Sequence, residues 1–159
     1  MAKTQRRRRK EGKTNYKSRF TLLKSKLPRL VVRKSNRYIL AQLVSSNLAQ
    51  DSVLESTTSK SLLDHGWPKD KLGSLKNIQA AYLTGYMLGK RLGKDKEAIL
   101  DKGLHRNVAG SRVYAVLLGA IEAGMVIPHD PKAFPSKEKM SLNKVFSQLI
   151  IKIKENLNG

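Results

Sequence analysis

PRLVVRKSNRYILAQLV, residues 28–44, decides how the chain folds. Apolar, largely β-branched residues lie on both sides of Ser35-Asn36. That pattern predicts a hairpin closed by a two-residue turn, in which Asn tolerates positive φ. With the turn there, Leu30 faces Ala41 and Val32 faces Ile39 on one side of the ribbon. Arg29 then faces Gln42, Val31 faces Leu40 and Arg33 faces Tyr38 on the other. Leu30, Val32, Ile39, Ala41 and Leu43 form a row suited to a core. Arg29, Arg33, Tyr38 and Gln42 form the opposite row, with Lys34 and Arg37 beside the turn. The stretch holds these four cations and no carboxylate. One face is therefore expected to belong to the core and the other to a polyanion, and a one-residue slip would destroy the sorting.

Working outward, residues 1–12 (MAKTQRRRRKEG) are expected to stay disordered until phosphates neutralise them, because the cations from Arg6 to Lys10 repel one another. From Thr14, a candidate N-cap, Tyr16, Phe20, Leu23 and Leu27 recur at helical spacing, and Pro28 closes that region. A third strand is expected within 51–59 and a loop over 64–74. Leu75, Ile78, Tyr82, Gly85, Leu88 and Leu92 trace a helix on which Ala81, Gly85 and Gly89 would admit close approach to a sheet. Residues 98–101 read as a short strand. Residues 111–124 read as a helix between an N-cap Ser111 and a stop at Gly124. A Pro-rich connector leads to an amphipathic helix over 141–157, with Leu142, Val145, Phe146, Leu149, Ile150, Ile153 and Leu157 on one side. A helix between two strands implies a crossover. The predicted class is α/β: a mixed sheet, an antiparallel meander plus a crossover strand, covered by helices and preceded by a disordered basic arm. The expected divisions are a basic RNA-binding arm over 1–12, a globular α/β RNA-binding domain over 13–130, and a connector with a packed C-terminal helix over 131–159.

Charge narrows the function. The 159 residues hold 32 Lys and Arg against 12 Asp and Glu, a net of +20. Residues 1–42 alone hold 15 basic side chains and one acid. Such clustering is the electrostatic footprint of nucleic-acid binding. The longest apolar run, Val113 to Ile121, is nine residues if Gly119 is allowed, against roughly 20 for a membrane span. No apolar segment follows the N-terminal charges, as a secretory signal would require, and there is no cysteine for a disulfide or thiolate metal site. A location in the cytoplasm is expected.

Catalytic and cofactor readings find little support. Gly85-xxx-Gly89-Lys90-Arg91 is one residue short of a phosphate loop and lacks the following Ser or Thr. His65, His105 and His129 have no carboxylate at ligand spacing. Asp101 ends an apolar strand, but metal-dependent nucleases need several converging carboxylates; holding the following loop by backbone hydrogen bonds is the simpler role. No enzyme activity, metal or cofactor is expected.

RLVVRKSNRYILAQLV resembles the hairpin of the large-subunit ribosomal protein family that binds 5S rRNA, number eighteen in that series. AYLTGYMLGKRL is similar to that family's central helix, and AILDKGLHRNVAGSRVYAVLLGAIEAGMVIPHD to its strand–loop–helix segment. The opening RRRRKEGKTNYKSR and the IPHD sequence are similar to the archaeal and eukaryotic branch. The chain lacks the long C-terminal extension of eukaryotic members, so no contacts of such an extension are expected. The resemblance implies attachment of 5S rRNA to the large subunit at the central protuberance. It also implies contact with large-subunit rRNA and neighbouring ribosomal proteins, with no membrane partner.

The expected RNA contacts follow from charge and placement. Arg6, Arg7, Arg8, Arg9, Lys10 and Lys13 form an arm that gains affinity through counterion release. Tyr16, Lys17 and Arg19 continue this surface on the first helix. Arg29, Arg33, Lys34 and Arg37 face phosphates, the arginines in fork geometry. Tyr38 stacks on a base or packs over Arg33, while Ser35, Asn36 and Gln42 reach 2′-hydroxyls or base edges. Lys102, His105, Arg106 and Arg112 form a second contact near a helix N-terminus, which attracts phosphate. The same charge would also suit a DNA-compacting protein, or an anionic-membrane binder acting through helix 141–157.

Overall fold

The computed structural model describes residues 4–47, 50–141 and 144–158. The first turn of helix, α1, spans Arg7–Lys10 and buries nothing. Helix α2 spans Tyr16–Leu23. The hairpin is β1, Arg29–Lys34, and β2, Ile39–Asn47, followed by β3, Gln50–Thr58. Helix α3, Ile78–Leu92, leads to β4, Ile99–Asp101, and then to α4, Arg112–Glu122. Two C-terminal helices follow, α5 at Lys137–Ser141 and α6 at Lys144–Asn158. The strand order is β3-β2-β1-β4. β1, β2 and β3 form an antiparallel meander, and β4 joins β1 in parallel after the α3 crossover. The sheet is therefore mixed and open, as the strand–helix–strand order predicted.

The hairpin keeps the predicted faces but not the predicted register. Leu30 pairs with Leu43, Val32 with Ala41 and Arg33 with Leu40. The turn is displaced by one residue because the Ser35 hydroxyl closes it. That oxygen accepts from the Tyr38 N–H at 2.9 Å and donates to the Tyr38 carbonyl, while the Ser35 N–H also donates to that carbonyl at 2.8 Å. Asn36 does not take the positive φ expected of it. The displacement moves each partner by two positions and so preserves the parity of the faces. Leu30, Val32, Ile39, Ala41 and Leu43 are all buried.

Helices cover that apolar face. From Gln79 to Gly89 every residue of α3 is buried, enclosed by β2, β3, α4 and α6. Small residues set its closest approach, but to a helix and not to the sheet. A Cβ added at Gly85 would lie 2.0 Å from the Val116 carbonyl oxygen, and one at Gly119 would lie 2.0 Å from the Tyr82 carbonyl oxygen. The two glycines let α3 and α4 pack with backbones nearly in contact. Gly124 takes φ +110° just beyond α4, the left-handed conformation of a helix stop.

Two expectations change on packing. The 64–74 segment is not simply a loop: Trp67 is 2% exposed and completes the core beside a 3₁₀ turn at Lys69–Ser74. The stripe on the first helix is not a core face, since α2 buries no residue and Phe20 is 64% exposed. Its N-cap is Asn15, whose side chain accepts from the Ser18 N–H. At the C-terminus, Ile153 is wholly buried and Ile150 and Leu157 pack on the core. Lys154 binds Glu122 at 3.0 Å and lies 4.8 Å from the Tyr82 and Tyr86 ring centres, which fastens α6 to α3 and α4. Tyr82 donates its hydroxyl proton to Glu122. Burial first, then this bond and the Glu122 charge, push the Tyr82 phenol far above its ordinary range. Leu142 lies outside the described residues.

Candidate nucleic-acid interface

The second face of the sheet carries the charged side chains among apolar ones such as Val31, Val44 and Val53, and those charges are ordered by strand register. In the parallel β1–β4 pair Asp101 lies beside Val31, between Arg29 and Arg33 on the same face. A bulge between β2 and β3 brings in a second carboxylate. Leu43 pairs with Glu55 but Val44 with Val53, so Leu54 is the inserted residue and Asp51 comes opposite Ser46. Without the insertion Asp51 would point to the other face.

A chain of alternating charges results. Arg29 is 3% exposed and donates to Asp101 at 2.7 Å, to Asp51 at 3.0 Å and to the Ser46 hydroxyl at 3.1 Å. Arg33 reaches the Asp101 carboxylate at 3.1 Å and its carbonyl at 2.9 Å. Arg19 of α2 meets Asp51 at 2.7 Å. Asp101 also accepts from the Gly103 N–H at 2.8 Å, the loop-holding role expected of it. Burial by itself raises the Asp51 carboxyl, but hydrogen bonds from Ser46 and Arg19 and the charges of Arg29 and Arg19 carry it below its usual range.

This network corrects the reading of Arg29. Its guanidinium is enclosed and neutralised by two carboxylates from other strands, so it braces the sheet and does not face a phosphate. Arg33 and Arg19 remain at the surface, each already paired. The balance absent from residues 28–44 comes from β3 and β4. Tyr38 is half buried against the core and lies opposite Ser35, not directly opposite Arg33 as the predicted register had it. Gln42 is also half buried and donates to Ser56.

Free charge gathers at the edges. Lys34, Ser35, Asn36 and Arg37 are all exposed at the hairpin tip. The arm and α2 border one cleft, where Arg6 lies 4.8 Å from the centre of the Tyr16 ring and Arg8 donates to the Thr14 hydroxyl. Arg9 and Lys17 line the same cleft. Glu11 binds Arg7 at 3.1 Å and Lys13 at 2.9 Å, and Lys10 is exposed. A second cleft of about 510 Å³ runs from Lys34 to the head of α4 and includes His105, Arg106, Ser111 and Arg112. The Ser111 hydroxyl oxygen there is buried without a hydrogen-bond partner. Lys102 is half buried in the adjoining loop. His105 accepts from the Lys34 N–H through Nε2 at 3.3 Å, which requires that nitrogen to be unprotonated. Burial, then the charges of Lys34 and Arg33, hold its pKa below the ordinary value. Sequence reasoning missed Asp51 and Phe20 as members of this surface. The signal for Phe20 was its setting among Lys17, Arg19 and Lys24.

No group of three or more potential metal ligands occurs among the described residues, and no described helix is long and apolar enough to cross a membrane. What the surface offers is cationic edges around an internally neutralised centre.

Comparison with known proteins gives this surface its setting. Residues 2–97 match the family model described as ribosomal large subunit proteins 60S L5 and 50S L18. The chain belongs to this family. Large ribosomal subunit protein uL18 of Methanothrix thermoacetophila is 46% identical over 137 residues, covering 84% of this chain and 78% of the relative. The uL18 proteins of Methanococcus maripaludis and Korarchaeum cryptofilum are 47% and 45% identical, and the matches span 69% and 68% of those relatives. The family is one of ribosomal structural proteins, not enzymes, with rRNA and other ribosomal proteins as partners. The archaeal relatives agree with the branch read from the opening sequence.

Proposed function

We propose that the chain binds 5S rRNA and attaches it to the large subunit as part of the central protuberance, also touching large-subunit rRNA and neighbouring proteins. The observation that carries this reading is the distribution of free charge. Lys34 and Arg37 project at the hairpin tip with no carboxylate partner among the described residues, and the arginines of the arm lie along the separate cleft beside α2. Phosphates would neutralise both sets, while Arg29 keeps the sheet between them rigid. The choice of 5S rRNA is supported by the resemblance of the hairpin and of residues 98–130 to the family that binds it. In this reading residues 1–12 act as the arm, 13–130 as the binding body, and 131–159 as a brace packed upon it. Arg106 and Arg112, with the unsatisfied Ser111 hydroxyl between them, form the second phosphate contact.

The test is a pair of charge reversals, Lys34→Glu and Arg37→Glu, in the full chain. Both side chains are exposed, so circular dichroism should remain native. Affinity for 5S rRNA should fall steeply at fixed salt, with tRNA and duplex DNA as competitors. Undiminished 5S binding would remove the hairpin from the interface. Equal affinity for duplex DNA would favour a DNA-compacting role instead.

A further inference from the structure

We propose that the cleft between the basic arm and α2 receives one unpaired base of the bound RNA, with Phe20 as the stacking platform. This rests on the RNA-binding reading above and adds a site to it. The cleft has a volume of about 1110 Å³, and Tyr16, Phe20 and Leu23 are the aromatic and apolar residues of its lining. Phe20 is 64% exposed on a helix that buries no residue, so its ring is not held for the sake of the core. Arg6, Arg8, Arg9, Lys17 and Arg19 line the same cleft. The lining carboxylate, Asp51, is already engaged by Arg19, Arg29 and Ser46.

Both rings already attract cations. The Arg6 guanidinium lies 4.8 Å from the Tyr16 ring centre, and the Lys24 ammonium 5.0 Å from that of Phe20. A cation over an exposed ring is weakly held. Lys24 is exposed on a flexible stem, so it can leave the phenyl face to a base and take a phosphate instead. An acidic peptide would match the cations of the lining but not the aromatic rings of Tyr16 and Phe20. Single-stranded RNA supplies both halves, repeated phosphates and π faces, the combination that stacking platforms in basic grooves accept. The ligand is thus a splayed-out nucleotide, and the recognition is of its ring face, not of its sequence.

The experiment uses the full chain as wild type, F20A and F20W, with three probes: 5S rRNA, a single-stranded 12-mer of adenylate and an RNA duplex of equal length. Loss of one base stack should weaken F20A binding to 5S rRNA and to the single strand by about 5- to 150-fold. Duplex affinity should be unchanged. The slope of log Kd against log salt should also be unchanged, because no charge is removed. F20W should retain affinity, and the emission of its indole should be quenched by the single strand; the native Trp67, 2% exposed, gives a constant background. Unaltered F20A affinity for the single strand, or unquenched F20W emission on binding, overturns the stacking site while leaving the RNA-binding reading intact. A wild-type chain that binds none of the three RNAs overturns both.

Discussion

The buried charge network is most sharply probed by Asp101→Asn. The substitution keeps an oxygen to accept the Gly103 N–H but withdraws the charge facing Arg29 at 2.7 Å and Arg33 at 3.1 Å. Arg29 is 3% exposed and Asp101 7%, so water cannot replace what is lost. Breaking a buried pair from one side typically costs 3–5 kcal/mol, since the remaining charge is stranded. Here Arg29 keeps Asp51 at 3.0 Å and Ser46 at 3.1 Å. The loss should therefore fall at the lower end, about 3 kcal/mol. For a chain of this size about 1 kcal/mol lowers Tm by 2–4 °C, so the expected drop is roughly 6–12 °C. Calorimetry of D101N, R29M and the double variant closes a thermodynamic cycle. The double variant should be less destabilised than the sum of the single ones, because removing both partners leaves less charge uncompensated. Additivity within about 0.5 kcal/mol, or a D101N loss below about 1 kcal/mol, would refute the idea that Arg29 depends on this carboxylate.

Two further outcomes follow from the geometry. Gly85→Ala should destabilise by about 3 kcal/mol or prevent folding, because the new methyl meets the Val116 carbonyl oxygen at 2.0 Å and that neighbour is backbone, not the end of a flexible side chain; denaturant unfolding measures it, and a neutral result would mean that α3 and α4 are not in close contact. His105 has a folded-state pKa below the ordinary 6.5, so the unfolded chain takes up its proton first. Its contribution to stability is then complete above about pH 6.5 and is lost as pH falls from there through the folded pKa. The Tm of wild type should decline more steeply than that of H105Q in this window, and an NMR titration placing His105 at or above 6.5 would contradict the Lys34 contact.

Much of the fold was legible because periodicity is local. The row Leu30, Val32, Ile39, Ala41 and Leu43 announced its buried face by alternation alone, and a displaced turn left that face intact. The α3 and α4 helices were equally plain from their apolar spacing and from Ser111 and Gly124 at the ends of the second. Phe20 was not legible: helical spacing marks an apolar stripe but does not say whether anything packs on it. Nor was the partner of Gly85, since a small residue advertises a close approach without naming what approaches. Trp67, in a segment rich in turn-forming residues, was placed in the core by its neighbours and not by its own pattern.

For the interface, the amino-acid order alone determined that cations would crowd the first 42 residues and that the hairpin would have one wholly apolar side and one side bearing its arginines. Tertiary structure decided which of those cations are free. Arg29 and Asp101 are separated by 72 positions and become partners only because β4 docks in parallel on β1. Asp51 joins them only because one inserted residue turns it to their face. The alternation of side chains is set by each strand's own geometry, whereas the balance of charge depends on which distant strands become neighbours. The first can therefore be read along the chain, and the second exists only once the sheet has formed.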